Sequence, residues 1–158
     1  MLLTRASEYA LLSLDIIAKS DKPLGSEQLS KELNLPKSFL AKILQNLAKS
    51  DILVSHRGSQ GGYALNIDPA DVSLYDIIFS AEGKRPAVFD CISYSDTCPK
   101  GAIGTCAISP FLARFQFKID NYLKNLTLKE LLNEKWFWLC VSSVTHRFRW
   151  IWLPIFNN

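Results

Sequence analysis

The hydrophobic spacing of this chain changes from a helical period to a strand period near residue 52, and this change limits the folds open to it. Residues 2–19, 26–33 and 37–50 carry apolar side chains three and four positions apart, which predicts three helices. Large apolar residues then alternate with small or polar ones from Tyr63 to Ile67, as in a strand with one buried face. The glycine-rich stretch RGSQGG before this strand predicts the tip of a hairpin.

Three helices followed by a two-stranded hairpin make a winged helix-turn-helix. The third helix has an inner apolar face of Leu40, Ile43, Leu44 and Leu47 and an outer face of Ser38, Lys42, Gln45 and Lys49. Such a helix fits the major groove of DNA, which is about 12 Å wide, while a glycine-rich tip can approach phosphates or the minor groove. We therefore predict DNA contacts from Lys37, Ser38, Lys42, Gln45 and Asn46 on the helix and from Arg57, Ser59 and Gln60 on the wing.

Two other interpretations of this half stay open. A polar stripe on a helix can be no more than a solvated face. A winged helix can also be a protein-binding module that regulates a partner, because fold does not fix function.

Capping signals predict further helices downstream. SLYD at 73–76 and TLKE at 127–130 are capping boxes, in which a Ser or Thr is followed three residues later by an acid. Ser109 before Pro110 predicts another helix start, with Ser109 as the N-cap, as we also expect for Thr4 and Ser26. The helix after Pro110 carries an aromatic and aliphatic face that we assign to dimer contact, formed by Phe111, Phe115, Ile119 and Tyr122.

The expected fold class is mainly α with a small β-hairpin wing, a winged helix-turn-helix followed by a cysteine loop and a long dimerisation helix. The segments are a DNA-binding region at 1–83, a cysteine-rich loop at 84–109, dimerisation helices at 110–133 and an atypical aromatic tail at 134–158. The tail could cover an apolar groove at the dimer interface, lie at a membrane surface, or result from a shifted reading frame. Its abrupt change in composition favours the third interpretation.

Charge and composition narrow the classes of function. The net charge of +3 permits nucleic-acid binding without arguing for it. Charges at Arg5, Glu8 and Asp15 interrupt any apolar signal segment, and no apolar run reaches the length of a membrane span, so we expect a cytoplasmic protein. The two histidines are far apart, and no nucleophile elbow or phosphate-binding loop is present, so we expect no enzyme.

Three of the four cysteines lie between residues 91 and 106 in a stretch of Ser, Thr, Gly, Asp and Pro. In a reducing compartment, such cysteines are more often metal ligands or redox groups than structural disulfides. Six and seven residues separate Cys91, Cys98 and Cys106, unlike the short paired spacings of zinc sites. Free thiols or a redox disulfide remain open as alternatives to a metal site. We expect the fourth cysteine, Cys140, to be a packing residue.

Several stretches together resemble a known family. LTRASEYALLSL, the wing RGSQGGYAL, the helix start SLYDII and the three cysteines that follow are similar to the IscR/NsrR type of bacterial winged-helix iron–sulfur regulators. The resemblance covers about residues 1–133. It implies a homodimer that binds a palindromic operator in double-stranded DNA, often as a repressor.

The resemblance also implies an iron–sulfur cluster, [2Fe–2S] or [4Fe–4S], held by Cys91, Cys98 and Cys106. Some relatives supply a fourth ligand from a histidine three residues after the last cysteine, but this chain has Ser109 there. Others use an acidic residue near the start of the first helix, where Glu8 lies, and that ligand can come from the partner subunit. Glu8 has a simpler interpretation too, since a carboxylate in a first helical turn is favoured by the helix dipole.

The expected function is thus a transcriptional regulator that senses redox state, nitric oxide or iron–sulfur status. The family resemblance alone implies that it is a repressor. A cluster-free thiol sensor that uses the same three cysteines is the alternative within the DNA-binding class.

Overall fold

The computed structural model describes residues 3–58, 61–88 and 106–133, and this part of the chain contains six helices and one antiparallel hairpin. Cys91, Cys98, Ser59, Gln60 and the predicted tail lie outside the described residues. The elements in chain order are α1 (Arg5–Ala18), α2 (Ser26–Glu32), α3 (Lys37–Lys49), β1 (Leu53–His56), β2 (Gly62–Leu65), α4 (Leu74–Glu82), α5 (Ser109–Asn125) and α6 (Leu128–Asn133).

Three helix starts follow the predicted capping chemistry. The Thr4 hydroxyl accepts a hydrogen bond from the Ala6 amide, and Ser73 accepts one from the amide of Asp76. Thr127 and Glu130 form a complete capping box, because each side chain accepts a hydrogen bond from the other residue's backbone amide. These side chains satisfy amides that the first helical turn leaves without partners.

Two predicted N-caps are wrong, because Ser26 and Ser109 are the first residues of their helices. Gly25 is the N-cap of α2, since the chain leaves an extended segment at Leu24 and turns at the glycine. Before α5, Ile108 already has helical backbone angles, and the Ser109 amide donates to the Cys106 carbonyl oxygen at 3.1 Å. The turn that precedes α5 therefore moves the cap one residue towards the N-terminus.

The core lies between the first four helices and the hairpin. The predicted inner face of α3 is confirmed, since Leu40, Leu44 and Leu47 have no exposed surface and Ile43 is 2% exposed. Full burial of a leucine or isoleucine contributes about 1.5–3 kcal/mol each. Leu128 of α6 is equally buried in this core, so the chain returns to the first half of the fold after α5.

The hairpin is held against the connection between α1 and α2. Its register pairs Leu53 with Leu65 and His56 with Gly62. Leu24 adds a third, very short strand, because it exchanges two backbone hydrogen bonds with Tyr63 at 2.9 and 3.0 Å. The wing therefore has one edge joined to the helical body.

Helix α5 buries one side and exposes the other. Leu112, Gln116, Asp120 and Leu123 are buried, whereas Phe111, Phe115 and Tyr122 are 59%, 38% and 65% exposed. Phe111 and Phe115 stack with their ring centroids 6.3 Å apart. Three residues of the aromatic face predicted from spacing are thus exposed, while the fourth, Ile119, is half-buried. None of the helices in the described ranges is both long and apolar enough to cross a membrane.

Candidate nucleic-acid interface

Helix α3 presents the polar face expected from its sequence. Ser38, Lys42, Gln45 and Lys49 are all exposed, while the opposite face of the helix is packed into the core. Asn46, another predicted contact, is half-buried, and its carbonyl oxygen accepts a hydrogen bond from Ser50 at the end of the helix. The short side chains and the two lysines leave this face able to enter a groove and to offer hydrogen bonds.

Lys37, another predicted contact, has an ion-pair partner within the protein. Its ammonium nitrogen is 2.8 Å from Oε2 of the Glu27 carboxylate, and the other oxygen, Oε1, is 3.2 Å from the ammonium nitrogen of Lys31. The hydrogen bond from Lys37, followed by that from Lys31, lowers the pKa of the Glu27 carboxyl below its usual value. Glu27 therefore joins α2 to the first residue of α3 and offsets part of the positive charge there.

At the wing, Arg57 is exposed directly after β1. Gly58 follows with a φ of 114°, a conformation that side chains other than glycine rarely adopt. Of the predicted wing contacts, only Arg57 falls within the described residues.

Close backbone contacts within the protein explain why positions 61 and 62 are glycines. A Cβ atom on Gly62 would lie well inside 3.0 Å of the Leu24 backbone, and one on Gly61 would meet the His56 carbonyl oxygen equally closely. The sequence suggested that these glycines leave the backbone unshielded by side chains, so that it can approach phosphates. The close approach of the wing to its own chain is sufficient reason for both.

An open cavity of about 270 Å³ lies between α3 and the wing. Its lining combines Gln45 and Lys49 of α3 with Ser55 and Tyr63 of the hairpin. The predicted contact list did not include Ser55 or Tyr63. Ser55 and Tyr63 lie opposite each other in the hairpin register, which the structure supplies.

The candidate metal ligands are only partly within the described residues. Cys106 is a free, half-buried thiol three residues before α5 begins. Glu8 is exposed in the first turn of α1, and its carboxylate pairs with Arg5 at 3.3 Å. Within residues 3–58, 61–88 and 106–133, no group of three or more metal-ligating side chains lies together.

Both described candidates fit an iron–sulfur cluster by their donor chemistry. A free thiol can become the thiolate that cluster irons bind. An exposed carboxylate whose ion pair is at the surface can exchange that partner at little cost, because such pairs contribute little stability. Carboxylate is nevertheless a harder ligand than thiolate, so Glu8 would be the weaker of the two.

Comparison with known proteins identifies the relatives of this chain. Residues 3–134 match the sequence model of the Rrf2 family, described as iron-dependent transcriptional regulators. A regulator described as rrf2-like from Rhodobacter capsulatus is 32% identical over 141 residues, which span 83% of this chain and 92% of that protein. The HTH-type transcriptional regulator IscR of Vibrio vulnificus is 28% identical over 136 residues, with 85% of this chain and 79% of IscR covered.

Among solved structures, CymR of B. subtilis, titled the global cysteine regulator, superposes with a TM-score of 0.65. The match covers 85% of this chain and 98% of CymR at 22% identity, so it bears on the fold. It confirms the predicted winged helix-turn-helix. The family match confirms the resemblance found in the sequence, and it confirms that the chain is not an enzyme, because this is a family of DNA-binding transcriptional regulators.

Proposed function

Because the chain belongs to the Rrf2 family of transcriptional regulators, we propose that it is a homodimeric repressor whose operator affinity depends on an iron–sulfur cluster. The observation that carries the DNA-binding part is the exposed polar face of α3 beside the wing. Its action would take place in the cytoplasm, where bacterial DNA lies.

In the proposed complex, α3 enters the major groove and the wing contacts the backbone or the minor groove. Gln45 can donate to and accept from an adenine edge, and Lys42 can donate to a guanine edge or a phosphate. Arg57 follows the wing strand and supplies a positive charge, with Ser59 and Gln60 as further candidates from the sequence. Lys37, Ser38 and Asn46 complete the proposed contact set at the edges of the helix.

The exposed aromatic strip of Phe111, Phe115 and Tyr122 supports a homodimer. Covering these rings with a second copy of the chain would remove apolar surface from water. A twofold dimer would present two α3 helices to successive major grooves about 34 Å apart, which matches a palindromic operator.

The proposed cluster ligands are Cys91, Cys98 and Cys106, with Glu8 of the same or the partner subunit as the fourth. A bound [2Fe–2S] or [4Fe–4S] cluster would supply a centre that reacts with oxidants and nitric oxide. The chain's own part is to place Cys106 directly before α5, so that a change at this thiol bears on the helix proposed to contact the partner. The ligand site and the DNA site would then be coupled through the dimer geometry.

A cluster-free thiol sensor is the second candidate. It would use the same three cysteines, of which Cys106 is half-buried and so partly open to oxidants. The description of the matching family as iron-dependent transcriptional regulators favours the cluster mechanism over the thiol mechanism.

The DNA-binding proposal is tested by selecting sequences from random or genomic DNA with full-length protein purified without air. Binding to the selected sequence is then measured for Lys42→Ala and for Lys129→Ala, an exposed lysine on α6 that serves as the matched control. We expect Lys42→Ala to weaken binding about tenfold or more and Lys129→Ala to change it less than about twofold. If the wild-type protein enriches no sequence, the DNA proposal fails and a protein-binding role is favoured.

The cluster proposal is tested by visible absorption together with iron and sulfide assays on the same preparation. Cys106→Ser should remove the chromophore, and Cys140→Ser, the fourth cysteine, should retain it. A wild-type protein that stays colourless after anaerobic reconstitution would contradict the cluster and leave the thiol sensor.

A further inference from the structure

Two polar side chains on the inner side of α5 are almost fully buried and hold the chain segment that follows α4. Gln116 is 3% exposed and Asp120 is 2% exposed. The Gln116 amide nitrogen donates to the Pro86 carbonyl oxygen at 2.8 Å and to Asp120 Oδ1 at 2.7 Å, while Gln116 Oε1 accepts from the Val88 amide at 2.9 Å. The other Asp120 oxygen forms an ion pair with Arg85. This network fixes residues 85–88 on α5.

The other end of the same segment is attached to α1. Glu82, the last residue of α4, accepts hydrogen bonds through Oε1 from the Thr4 amide at 3.2 Å and from the hydroxyl of Ser7. Ser7 has no exposed surface. We call residues 82–88 the strap, because they join the first turn of α1 to the middle of α5.

The polar character of these contacts makes them directional. An aliphatic side chain at position 116 could fill the same volume, as Leu112 and Leu123 do on the same face. Burying an amide costs free energy unless its hydrogen bonds are made, and here both donors and the acceptor are used. Such a network permits one relative position of strap and helix, whereas apolar packing would allow sliding.

The strap joins the two parts of the chain on which the proposed function depends, the first turn of α1 and helix α5. Glu8 follows Ser7 directly, and it is the candidate fourth ligand. Val88 is the last described residue before the cysteines at 91 and 98, and Cys106 directly precedes the turn into α5. Both sides of the cysteine segment are thus attached to the helix proposed to contact the partner.

We infer that Gln116 and Asp120 are positioning residues, which make the strap transmit a displacement of α5 to the first turn of α1. This inference rests on the proposed function for its purpose, but the coupling itself requires neither cluster nor DNA. A shift of α5 in the dimer would move the strap as a unit and, through Glu82, the backbone that carries Glu8. Conversely, a ligand that holds Glu8 and Cys106 would hold α5.

The test is amide hydrogen exchange on the full-length, cluster-free protein, with Gln116→Leu compared with Asn121→Leu. Asn121 is an exposed amide residue on the same helix and gives the matched control. We expect Gln116→Leu to raise exchange about tenfold at the Val88 amide and also at the Glu8 amide, which is bonded to the Thr4 carbonyl oxygen at 3.1 Å. Amides of Leu40 to Leu47 in α3 should be unchanged in both variants.

Hydrogen exchange at the Glu8 amide, which Gln116 does not contact, separates coupling from local packing. If Val88 exchanges faster while Glu8 does not, Gln116 only anchors its neighbour and the inference is wrong. If Gln116→Leu does not fold, Asp120→Asn is used instead, because it removes the charge and keeps the shape of the side chain. Exchange rates at the Val88 and Glu8 amides then test the inference in the same way. A protein that binds no cluster contradicts the proposed function and leaves this result unaffected.

Discussion

The ammonium group of Lys37, a residue expected at the DNA, lies 2.8 Å from the carboxylate of Glu27 on the preceding helix. Replacing Glu27 by Gln removes a negative charge that both offsets Lys37 and repels phosphate. We expect Glu27→Gln to strengthen DNA binding about two- to fivefold at low salt, with the gain fading as salt screens the charges.

Fluorescence anisotropy over a range of salt concentrations measures this effect. Glu32→Gln removes the same charge from the exposed end of α2, where no partner lysine is bound in the described contacts, and serves as the control. Equal gains in both variants would show a general charge effect and exclude a specific role for the pair.

Gly62 allows the wing to lie against the connection between α1 and α2. We expect Gly62→Ala to destabilise the protein by about 2–3 kcal/mol, because its Cβ would collide with the Leu24 backbone and neither strand can yield without losing hydrogen bonds. Gly83→Ala is the comparison. Gly83 has a φ of 69° but open space around it, so it should cost about 1 kcal/mol from backbone strain alone. Urea unfolding measures the free energy of unfolding of both variants, and similar losses of stability would refute the steric explanation.

The exposed strip on α5 predicts a position-dependent effect on self-association. Tyr122→Asp should shift the protein towards monomer by at least about tenfold in dissociation constant, because a charge would be buried among Phe111 and Phe115 of the strip or of its partner. Phe117→Asp changes a ring of similar exposure, 63%, on another side of the same helix. Sedimentation equilibrium measures the two dissociation constants. If Phe117→Asp has the larger effect, the dimer surface lies elsewhere.

Glu130 gives a pH-dependent prediction. The backbone amide of Thr127, followed by its hydroxyl, donates to the carboxylate and lowers the pKa of Glu130 below its usual value. A group whose pKa is lowered on folding contributes stability above its unfolded pKa and loses it as the pH falls through the folded value. The stability difference between wild type and Glu130→Gln should therefore be constant near neutral pH and shrink as the pH falls below about 4.5. Thermal unfolding at several pH values measures it, and a difference that is as large at pH 3 as at neutral pH would contradict the capping role.

The fold was largely readable from the sequence because its signals are local. Helical periodicity located α3 and its buried leucines, and the capping boxes located the starts of α4 and α6. Ser26 and Ser109 were misplaced by one residue, since the chain conformation before each helix is set by contacts that the sequence does not display. For Ser26, that contact is the bridge between Leu24 and Tyr63.

The site was less predictable where tertiary contacts decide. Exposure of Lys42 and Gln45 followed from the helical period, but the ion pair of Lys37 with Glu27 spans two helices and has no periodic signal. Spacing on α5 identified its aromatic strip and gave no indication that Gln116 and Asp120 would be buried on the other side of the helix. Long-range polar networks of this kind depend on three-dimensional juxtaposition, which a single sequence does not encode in any regular pattern.

The bridge between Leu24 and Tyr63 divides the wing into two parts with different freedom to vary. Gly62 and Tyr63 belong to the scaffold, since they are fitted to the backbone of a distant segment at Leu24. Arg57 lies on the other side of the hairpin tip, exposed and outside that fitted edge. A library that aims to redirect this regulator to a new operator should therefore randomise Arg57 and the outer face of α3, and should leave the second wing strand and residue 24 as they are.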